Sequence, residues 1–341
     1  MLFYVGIDLH SSNSYLGVVD SDRRRVCRKK AKNNILEIHG ALSHLGGEVA
    51  GVAVESTYNW YWLVDGLRDL GYKVSLANPS AIQKYRGLKH MDDGHDAFWL
   101  AELLSLNILP TGYIYPKEIR PVRDLLRKRS LLVKLRMSLL LNLQNALSRQ
   151  FGVQLRGEKL KAEIGRCEWL NWFSGDAALA MSARTSKEAI DFLTARIKYA
   201  EKAVHKLSQD IPAYRNLYSL PGVGRVLALT ISLETGPIER FKNVGNYASY
   251  CRKVKSEWVS NEKAKGSGNT RNGNRYLAWA FSEAAEHARR HHPMCRSFFN
   301  RKLAQTHFLS AHNALGHKLA RAAFYIMRDQ VKFDEKRLFA A

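Results

Sequence analysis

A short run without polar side chains constrains the N-terminal part of this chain more than any other feature. Residues 49–54 read Val-Ala-Gly-Val-Ala-Val. An apolar run of this length is typical of a central strand that is buried on both faces of a sheet. It therefore predicts a sheet that helices cover on two sides.

The segments around this run follow the order of an α/β domain. Strands come first along the chain and then alternate with helices, which predicts a mixed sheet with flanking helices over residues 1–110. The other expected strands lie at 3–8, 15–19, 23–32 and 72–77, and the expected helices at 35–45, 58–70 and from Asp92 or Asp93 to about Leu106.

A heptad pattern follows this domain. Leu125, Leu132 and Leu139 recur every seven residues, and Leu135 adds a second apolar position. This spacing predicts a long helix that forms half of a coiled coil, in a helical oligomerisation region over residues 111–210. A second helical stretch is expected to pack antiparallel to the first. The helices expected in and after this region lie at 122–147, 189–207, 226–233, 276–290 and 311–327.

The third region, residues 211–341, is predicted to be mostly helical. Residues 252–275 are basic and rich in glycine, asparagine and serine, which predicts a loop. The segment Leu220-Pro221-Gly222-Val223-Gly224 resembles the hairpin of helix-hairpin-helix DNA-binding elements. In such a hairpin, the glycines let the backbone approach a phosphate closely. The backbone amides at the start of the following helix then bind that phosphate. A plain glycine-containing connection between helices is the alternative.

Charge separates the N-terminal domain from the rest of the chain. Residues 1–110 hold 12 basic and 12 acidic side chains, so the net charge of +22 lies in residues 111–341. A region this basic is expected to bind a polyanion, and nucleic acid is the commonest one.

The sequence also excludes several classes of protein. No apolar run approaches the roughly 18 residues that a membrane span needs, and the N-terminus is typical of a strand rather than a signal peptide. The four cysteines lack the spacing of a zinc site and are expected to be reduced thiols. Together these features predict a cytoplasmic protein.

Four carboxylates occupy positions that suit metal-dependent phosphoryl transfer. Asp8 and Glu55 each end a predicted strand, and Asp93 and Asp96 lie three residues apart at a predicted helix start. Side chains at this helical spacing share a face, so the four can converge on two Mg²⁺ ions, or on Mn²⁺ in their place, roughly 3.5–4 Å apart. Taken singly, each carboxylate is better explained as a turn residue or helix N-cap, and Asp92 is an alternative to Asp93.

The order of these motifs resembles a known family. Tyr4-Val5-Gly6-Ile7-Asp8, Val54-Glu55-Ser56-Thr57 and Asp93-Gly94-His95-Asp96-Ala97 are similar to the RuvC-like DEDD domain of bacterial insertion-sequence transposases of the 110 family, the bridge-RNA-guided recombinases. Further segments resemble the second domain of that family in order and rough spacing. They are Leu220-Pro221-Gly222-Val223-Gly224, Phe241, Tyr247-Ala248-Ser249-Tyr250, Gly273-Asn274-Arg275-Tyr276-Leu277 and Lys318-Leu319-Ala320-Arg321-Ala322.

The resemblance implies an RNase H/RuvC-like catalytic domain and a C-terminal transposase domain that supplies a serine nucleophile. Counting back from Gly273 in the spacing of the family gives Ser260, with Ser256 and Ser267 as alternatives. Asn261 follows this serine where the family more often has a glycine.

The resemblance also implies a reaction and its partners. The reaction is Mg²⁺-dependent cleavage and rejoining of DNA strands through a serine–DNA intermediate, with a structured guide RNA that selects the donor and target duplexes. The implied assembly is a homo-oligomer, a dimer or tetramer, at the bacterial nucleoid. A site-specific DNA invertase of the same family, a RuvC-like junction nuclease that uses water, and a binding protein without chemistry are the alternatives.

Basic side chains around the candidate serine are the expected phosphate contacts. Together with the backbone at Gly222 and Gly224, they are Arg252, Lys253, Lys255, Lys263, Lys265, Arg271 and Arg275.

Overall fold

The computed structural model describes residues 1–82, 93–209, 211–254, 257–260, 263–267 and 272–339. The chain divides into two units, the first comprising Met1–Lys117 with Trp258–Asn272 and the second Glu118–Glu257 with Gly273–Ala341. The division of the chain near residues 110 and 210 stays a prediction. The predictions for Asp92, Lys255, Ser256 and Arg271 fall outside the described residues.

A six-stranded mixed sheet forms the centre of the first unit. Its elements are β1 (Leu2–Leu9), β2 (Asn13–Asp20), β3 (Arg25–Lys32), α1 (Ile35–Ser43), β4 (Glu48–Glu55), α2 (Tyr61–Asp69), β5 (Val74–Ala77), α3 (Pro79–Ile82), α4 (Asp93–Ser105) and β6 (Thr111–Gly112). The strand order is β3-β2-β1-β4-β5-β6. β1, β4 and β5 run parallel, whereas β2, β3 and β6 pair antiparallel with their neighbours. The predicted α/β fold with a mixed sheet is confirmed.

Helices cover both faces of this sheet, as the apolar run in β4 predicts. On one face, Ile7 of β1 and Val54 of β4 lie in the same core as Leu42 of α1 and Leu63 of α2. On the other face, Ala53 of β4 packs in a cluster with side chains of α4. Successive residues of β4 therefore point into different apolar layers, and a polar side chain in this strand would lose its hydration.

The approach of α4 to the sheet depends on two glycines. Gly6 of β1 and Gly17 of β2 face each other across the strand pair. A Cβ at Gly6 would overlap the carbonyl oxygen of Ala97, and a Cβ at Gly17 would lie 2.5 Å from the amide nitrogen of Phe98. Because only glycine leaves this space, the backbone of α4 lies directly on the strands.

The second unit is predominantly helical, as the sequence predicts. Its helices are α5 (Ile119–Phe151), α6 (Gly157–Lys161), α7 (Ala177–Leu207), α8 (Pro212–Leu217), α9 (Arg225–Thr235), α10 (Val244–Tyr250), α11 (Arg275–His291), α12 (Pro293–Leu303), α13 (Phe308–Asp329) and α14 (Glu335–Phe339), with short 3₁₀ turns at 164–166, 168–173 and 238–240. The principal core of this unit lies among α8, α9, α11 and α13.

The long helix α5 packs antiparallel against α7. Arg129 bonds to Glu201, and Arg136, seven residues further on, bonds to Thr194, seven residues earlier in α7. The predicted helix and its antiparallel partner are therefore present, and both are longer than the pattern indicated. A coiled coil with a second chain stays a prediction.

The leucines of α5 that point into the protein interior are not those of the heptad pattern. Leu135, predicted as a seam position, is 49% exposed. The fully buried leucines of α5 are Leu126, Leu140, Leu143 and Leu147. Leu135 therefore lies outside the buried face of α5, and its place in a coiled coil with a second chain stays a prediction.

A two-stranded sheet lies where the sequence predicted a loop. Its strands are β7 (Glu257–Ser260) and β8 (Lys263–Ser267). The loop prediction is wrong over these residues, because the glycines and asparagines nearby obscured a short segment with the strand formers Trp258 and Val259.

The glycine-rich turn between α8 and α9 has a packing explanation. Gly222 has a positive φ of 77°, and a Cβ there would lie 2.7 Å from the amide nitrogen of Ala288 in α11. This contact favours the plain helix connection that the sequence left as an alternative, and a helix-hairpin-helix element stays a prediction.

None of the described helices is both long and apolar enough to cross a bilayer. The four cysteines are free thiols, three of them buried.

Candidate active site

Two of the four predicted carboxylates lie next to each other at one end of the sheet. β1 and β4 are parallel neighbours, with Ile7 opposite Val54. The next residues along the two strands are Asp8 and Glu55. Both carboxylates therefore end strands, as the sequence predicts. Their backbone positions are adjacent, because the two strands are paired and parallel.

Both side chains lie on the face of the sheet that α4 covers. Side chains two residues apart in a strand share a face. Asp8 follows Gly6 by two residues, and Glu55 follows Ala53 by two. Gly6 lies against the backbone of α4, and Ala53 shares a cluster with Leu100 of α4.

The first turn of α4 is at the same end of the sheet. Ala97 lies over Gly6, near the carboxyl end of β1, whereas Leu104 lies near Gly51, toward the start of β4. The first turn carries the remaining two carboxylates, Asp93 and Asp96. Asp96 is half-buried, and the side chain of Asp93 is outside the described set. We call this end of the sheet, with Asp8, Glu55 and the first turn of α4, the carboxylate edge.

A histidine that the sequence analysis did not consider contacts the carboxylate edge. Asp8 is 5% exposed, and its Oδ2 lies 3.1 Å from Nε2 of His10. The carbonyl oxygen of His10 accepts hydrogen bonds from the side-chain amides of Asn33 and Asn59, each at 3.0 Å. The segments after β3 and β4 thus fix the turn after β1, and with it the side chain of Asp8.

The donor set of the carboxylate edge fits a hard divalent cation. Mg²⁺ prefers carboxylate oxygens, and Asp8, Glu55 and Asp96 all supply them. Among the described side chains, no group of three candidate ligands is already gathered around one point. Like charges repel, and a bound cation would offset the repulsion between carboxylates on one face of the sheet.

The candidate nucleophile lies in the same unit as these carboxylates. Ser260 is the last residue of β7, and residues 258–272 belong to the first unit together with Asp8 and Glu55. The alternative Ser267 ends β8. The side chains of both serines are outside the described set, so the backbone alone places them on the hairpin.

The two ends of the segment that carries this hairpin are bonded to each other in the second unit. The amide of Asn274 donates to the carbonyl oxygen of Tyr250 at 2.7 Å, and the guanidinium of Arg252 donates to the carbonyl oxygen of Gly273 at 3.0 Å. Arg252 and Gly273 both have positive φ, 55° and 86°. We call these four residues the neck, because they close the base of the hairpin segment.

A buried carboxylate supports the neck. Oδ1 of Asn274 caps α11 by accepting from the amides of Tyr276 and Leu277, and its Nδ2 donates to Glu234 at 2.8 Å. Glu234 is 1% exposed and also accepts two hydrogen bonds from Arg127, at 2.6 and 2.7 Å. Burial disfavours the Arg127 cation, but the hydrogen bonds to Glu234 outweigh it and raise the pKa of Arg127. The network ties α5, α9 and α11 to the end of the hairpin segment.

The basic residues predicted to contact phosphate differ in their surroundings. Lys263, Lys265 and Arg275 are exposed, and Arg252 belongs to the neck. Gly224 is the N-cap of α9, with open space beside its Cα.

Lys253 departs from its predicted role. Its side chain is 6% exposed, its Nζ donates to Oγ of Ser282 at 2.7 Å, and burial lowers the pKa of Lys253 to about 8. The predicted phosphate contact by Lys253 finds no support in this geometry, because its ammonium lies inside the unit rather than on its surface.

Sequence reasoning missed the residues that support the site rather than form it. His10, Glu234 and Asn274 act through contacts with segments remote in sequence, and a single histidine or asparagine carries no periodic signal. One signal was available for His10, which follows Asp8 by two residues and so has the spacing of a same-face neighbour in extended chain.

Two models of known protein families match parts of this chain. Residues 5–151 match a family model described as a transposase, of the DEDD domain of IS110 elements. Residues 214–300 match the model of the transposase IS116/IS110/IS902 family. The first match spans the carboxylate edge, and the second spans the neck and the hairpin. A search of curated proteins found no match.

Proposed function

Since the chain belongs to the IS110 family of transposases and is an enzyme that acts on DNA, we propose that it cleaves and rejoins DNA strands through a serine–DNA intermediate. The observation that carries this proposal is the shared unit: the hairpin with Ser260 groups with Asp8 and Glu55 rather than with the helices that flank it in sequence. A nucleophile and carboxylates in one unit suit a single reaction centre.

The reaction is a balanced pair of phosphoryl transfers. Oγ of Ser260 loses its proton and forms a bond to the phosphorus of a DNA phosphodiester, while the bond from that phosphorus to the leaving strand end breaks. The leaving oxygen takes up a proton. In the second transfer, a hydroxyl end of another strand attacks the same phosphorus and Ser260 leaves, which restores the free serine.

The carboxylates would hold a divalent cation for this chemistry. A divalent cation bound there would polarise the phosphate and favour the serine alkoxide. Asp8, Glu55, Asp93 and Asp96 would ligate it. His10 orients Asp8 through the contact between Nε2 and Oδ2.

Trapping the intermediate tests the proposal. The protein is incubated with Mg²⁺ and labelled DNA of its own element, and adducts are resolved on a denaturing gel. We expect an adduct with the unaltered protein and with Ser256→Ala and Ser267→Ala, but none with Ser260→Ala, which should still bind DNA. Cleaved ends free of protein would contradict the proposal and favour a nuclease that uses water.

A structured RNA is proposed as the guide. The net charge of +22 lies in residues 111–341, and that much positive charge suits a partner larger than a short DNA site. Expressing the protein with its flanking DNA and sequencing the RNA that copurifies tests this. A single discrete RNA from the flank is expected, and bulk cellular RNA or none would contradict it.

A homo-oligomer is proposed as the working form. Exchange of strands between two duplexes needs more than one reaction centre, and α5 exposes Leu131, Leu135 and Leu141. Exposed leucines on a long helix suit contact with a second copy of the chain.

A further inference from the structure

One face of α13 combines cations with an aromatic ring. Lys318, Arg321, Tyr325 and Arg328 follow one another at steps of three, four and three residues, which places them in one row along the helix. All four line a cavity of about 540 Å³. The family-like segment at 318–322, to which the reaction above gives no role, therefore lies at this cavity, which we call the α13 pocket.

The α13 pocket has an excess of positive charge. Five of its lining side chains are cationic, namely Lys318, Arg321, Arg328, Lys332 and Arg337, and two are acidic, Asp329 and Asp334. Each acidic side chain is already bonded to an arginine of the pocket, Asp329 to Arg328 at 2.7 Å and Asp334 to Arg337 at 3.3 Å. The acidic side chains therefore do not offset the other three cations.

The cations are held close together at an electrostatic cost. Nζ of Lys318 is fixed by donating to the carbonyl oxygen of Leu338 at 2.8 Å. Burial lowers the pKa of Lys318, and repulsion from Arg321, Arg301 and Lys302 lowers it further. A bound anion would relieve this repulsion, as a cation does for clustered carboxylates.

The lining of the pocket suits a nucleic-acid strand. Tyr325 is 39% exposed, and the guanidinium of Arg328 lies 4.8 Å from the centre of its ring. Aromatic rings next to cations are the usual surface for an unpaired base and its phosphate. The apolar residues Ala322, Ile326 and Phe333 also line the cavity, which suits the edge of a base better than a hydrated ion.

We propose that the α13 pocket binds the phosphodiester backbone of a nucleic-acid strand, with a base against Tyr325. The pocket residues lie outside the segment 214–300 that matches the family model and are separate from the phosphate contacts predicted around Ser260. The inference rests on the proposed function only in taking nucleic acid as the polyanion.

Two exposed cations of the pocket provide the test. The double variant Arg321→Gln/Lys332→Gln removes two charges without touching the carboxylate edge, the hairpin or the neck. Lys198→Gln/Lys202→Gln removes the same charge from two exposed positions of α7 and serves as the matched control. Binding of fluorescein-labelled oligo-uridine and oligo-thymidine strands is measured by anisotropy over a range of salt concentrations, with EDTA present so that no cleavage occurs.

The pocket variant should bind about tenfold more weakly than the control, and the slope of log K against log salt should fall by about two, one for each lost contact. A loss with the RNA strand, the DNA strand or both supports the pocket and identifies its ligand. Equal affinities and slopes in the two variants would overturn it. If the unaltered protein binds neither strand, the proposal for the pocket is overturned as well. Failure of the serine reaction alone would leave these binding curves unchanged.

Discussion

Asp8 is the single residue on which the catalytic proposal depends most. Its carboxylate is buried at the carboxylate edge and oriented by His10. Asp8→Asn keeps the size of the side chain but removes the charge that a divalent cation needs. We expect DNA cleavage to fall at least about a hundredfold, since a bound cation contributes several kcal/mol to the transition state. Asp22→Asn, at an exposed position, is the control, and equal cleavage by both variants would contradict a metal site here.

Lys253 gives a prediction about pH. Burial lowers its pKa from the ordinary 10.5 to about 8. Between pH 8 and 10.5 the unfolded state binds more protons than the folded state, so this lysine makes the free energy of unfolding rise with pH. Below pH 8 both states are protonated, and the full cost of burying the cation is present.

Replacing Lys253 with methionine should abolish that dependence. We compare the free energies of unfolding of the unaltered protein and Lys253→Met in urea at pH 8 and at pH 10. Relative to the variant, the unaltered protein should gain about 1–3 kcal/mol over this interval. The tyrosines, the cysteines and the other lysines titrate in both proteins, so their contributions to the difference in unfolding free energy cancel. A difference that does not change with pH would show that Lys253 is hydrated.

Sequence and structure agree best for residues whose role follows from a pattern. Asp8 and Glu55 were identified because each ends a run of strand formers, and the parallel register places them side by side. Lys253 was misjudged because a cation in a basic segment looks exposed, and only the tertiary contact with Ser282 shows that it is buried.

At the scale of elements, the seating of α4 on the sheet decides where Asp93 and Asp96 lie. A methyl group at Gly6 would meet the backbone of α4, with the amide nitrogen of Ala101 at 2.7 Å. Gly6→Ala should therefore displace the helix, destabilise the protein by about 1–3 kcal/mol or more, and reduce DNA cleavage. Gly40→Ala is the control, because Gly40 lies within α1 with open space beside it, and alanine there should be neutral or stabilising.

Thermal unfolding and cleavage rates of the two glycine variants check this prediction. A Gly6→Ala protein as stable and active as the unaltered one would mean that α4 sits higher above the strands than described.

Glu234 joins three helices at the neck and should be sensitive to the loss of its charge. Glu234→Gln leaves Arg127 without its ion pair. Changing one partner of a fully buried pair costs about 3–5 kcal/mol, and the cost here should be smaller because the Arg127 side chain is 32% exposed. The exposed Glu239 provides the control variant Glu239→Gln. Urea unfolding of both variants measures the cost, and equal stabilities would show that Arg127 and Asn274 hold the neck without Glu234.

Elements with strong periodicity could be predicted, whereas those stabilised by remote contacts could not. Strands β1, β2, β4 and β5 and the helices α5 and α7 follow from apolar patterns in the sequence, whereas β6 at Thr111–Gly112 was not predicted. The hairpin of β7 and β8 is short and lies among glycines and asparagines, so local propensity favoured a loop. The heptad of α5 predicted the helix, but it gave no sign of the side that is buried within the chain, where Arg120 and Arg123 are buried while Leu135 is exposed.

At the scale of the whole molecule, the two parts of the chain that differ in net charge also differ in the role that we propose for them. The electrically balanced residues 1–110, with 12 basic and 12 acidic side chains, carry the carboxylate edge, to which we assign the divalent cation. The basic remainder of the chain carries the α13 pocket and the exposed cations near the hairpin. Such a charge distribution is expected to attract nucleic acid to the basic part of the chain.

The exposed leucines of α5 predict how copies of the chain associate. Leu131 and Leu135 lie one turn apart on the side of α5 that the core leaves exposed, and burying them against the same helix of a second copy would remove apolar surface from water. Leu131→Glu/Leu135→Glu should therefore convert a dimer or tetramer to a smaller species in light scattering. It should also abolish strand exchange, which needs two reaction centres, while binding of a single DNA strand persists.

Two leucines that are exposed elsewhere provide the matched control. Leu36 in α1 and Leu309 in α13 are both 71% exposed, so Leu36→Glu/Leu309→Glu adds the same charge without touching α5. The control should keep the mass of the unaltered protein. If both double variants dissociate, added negative charge rather than α5 is responsible. If neither does, the copies associate through another surface, and the leucines of α5 face solvent in the working enzyme.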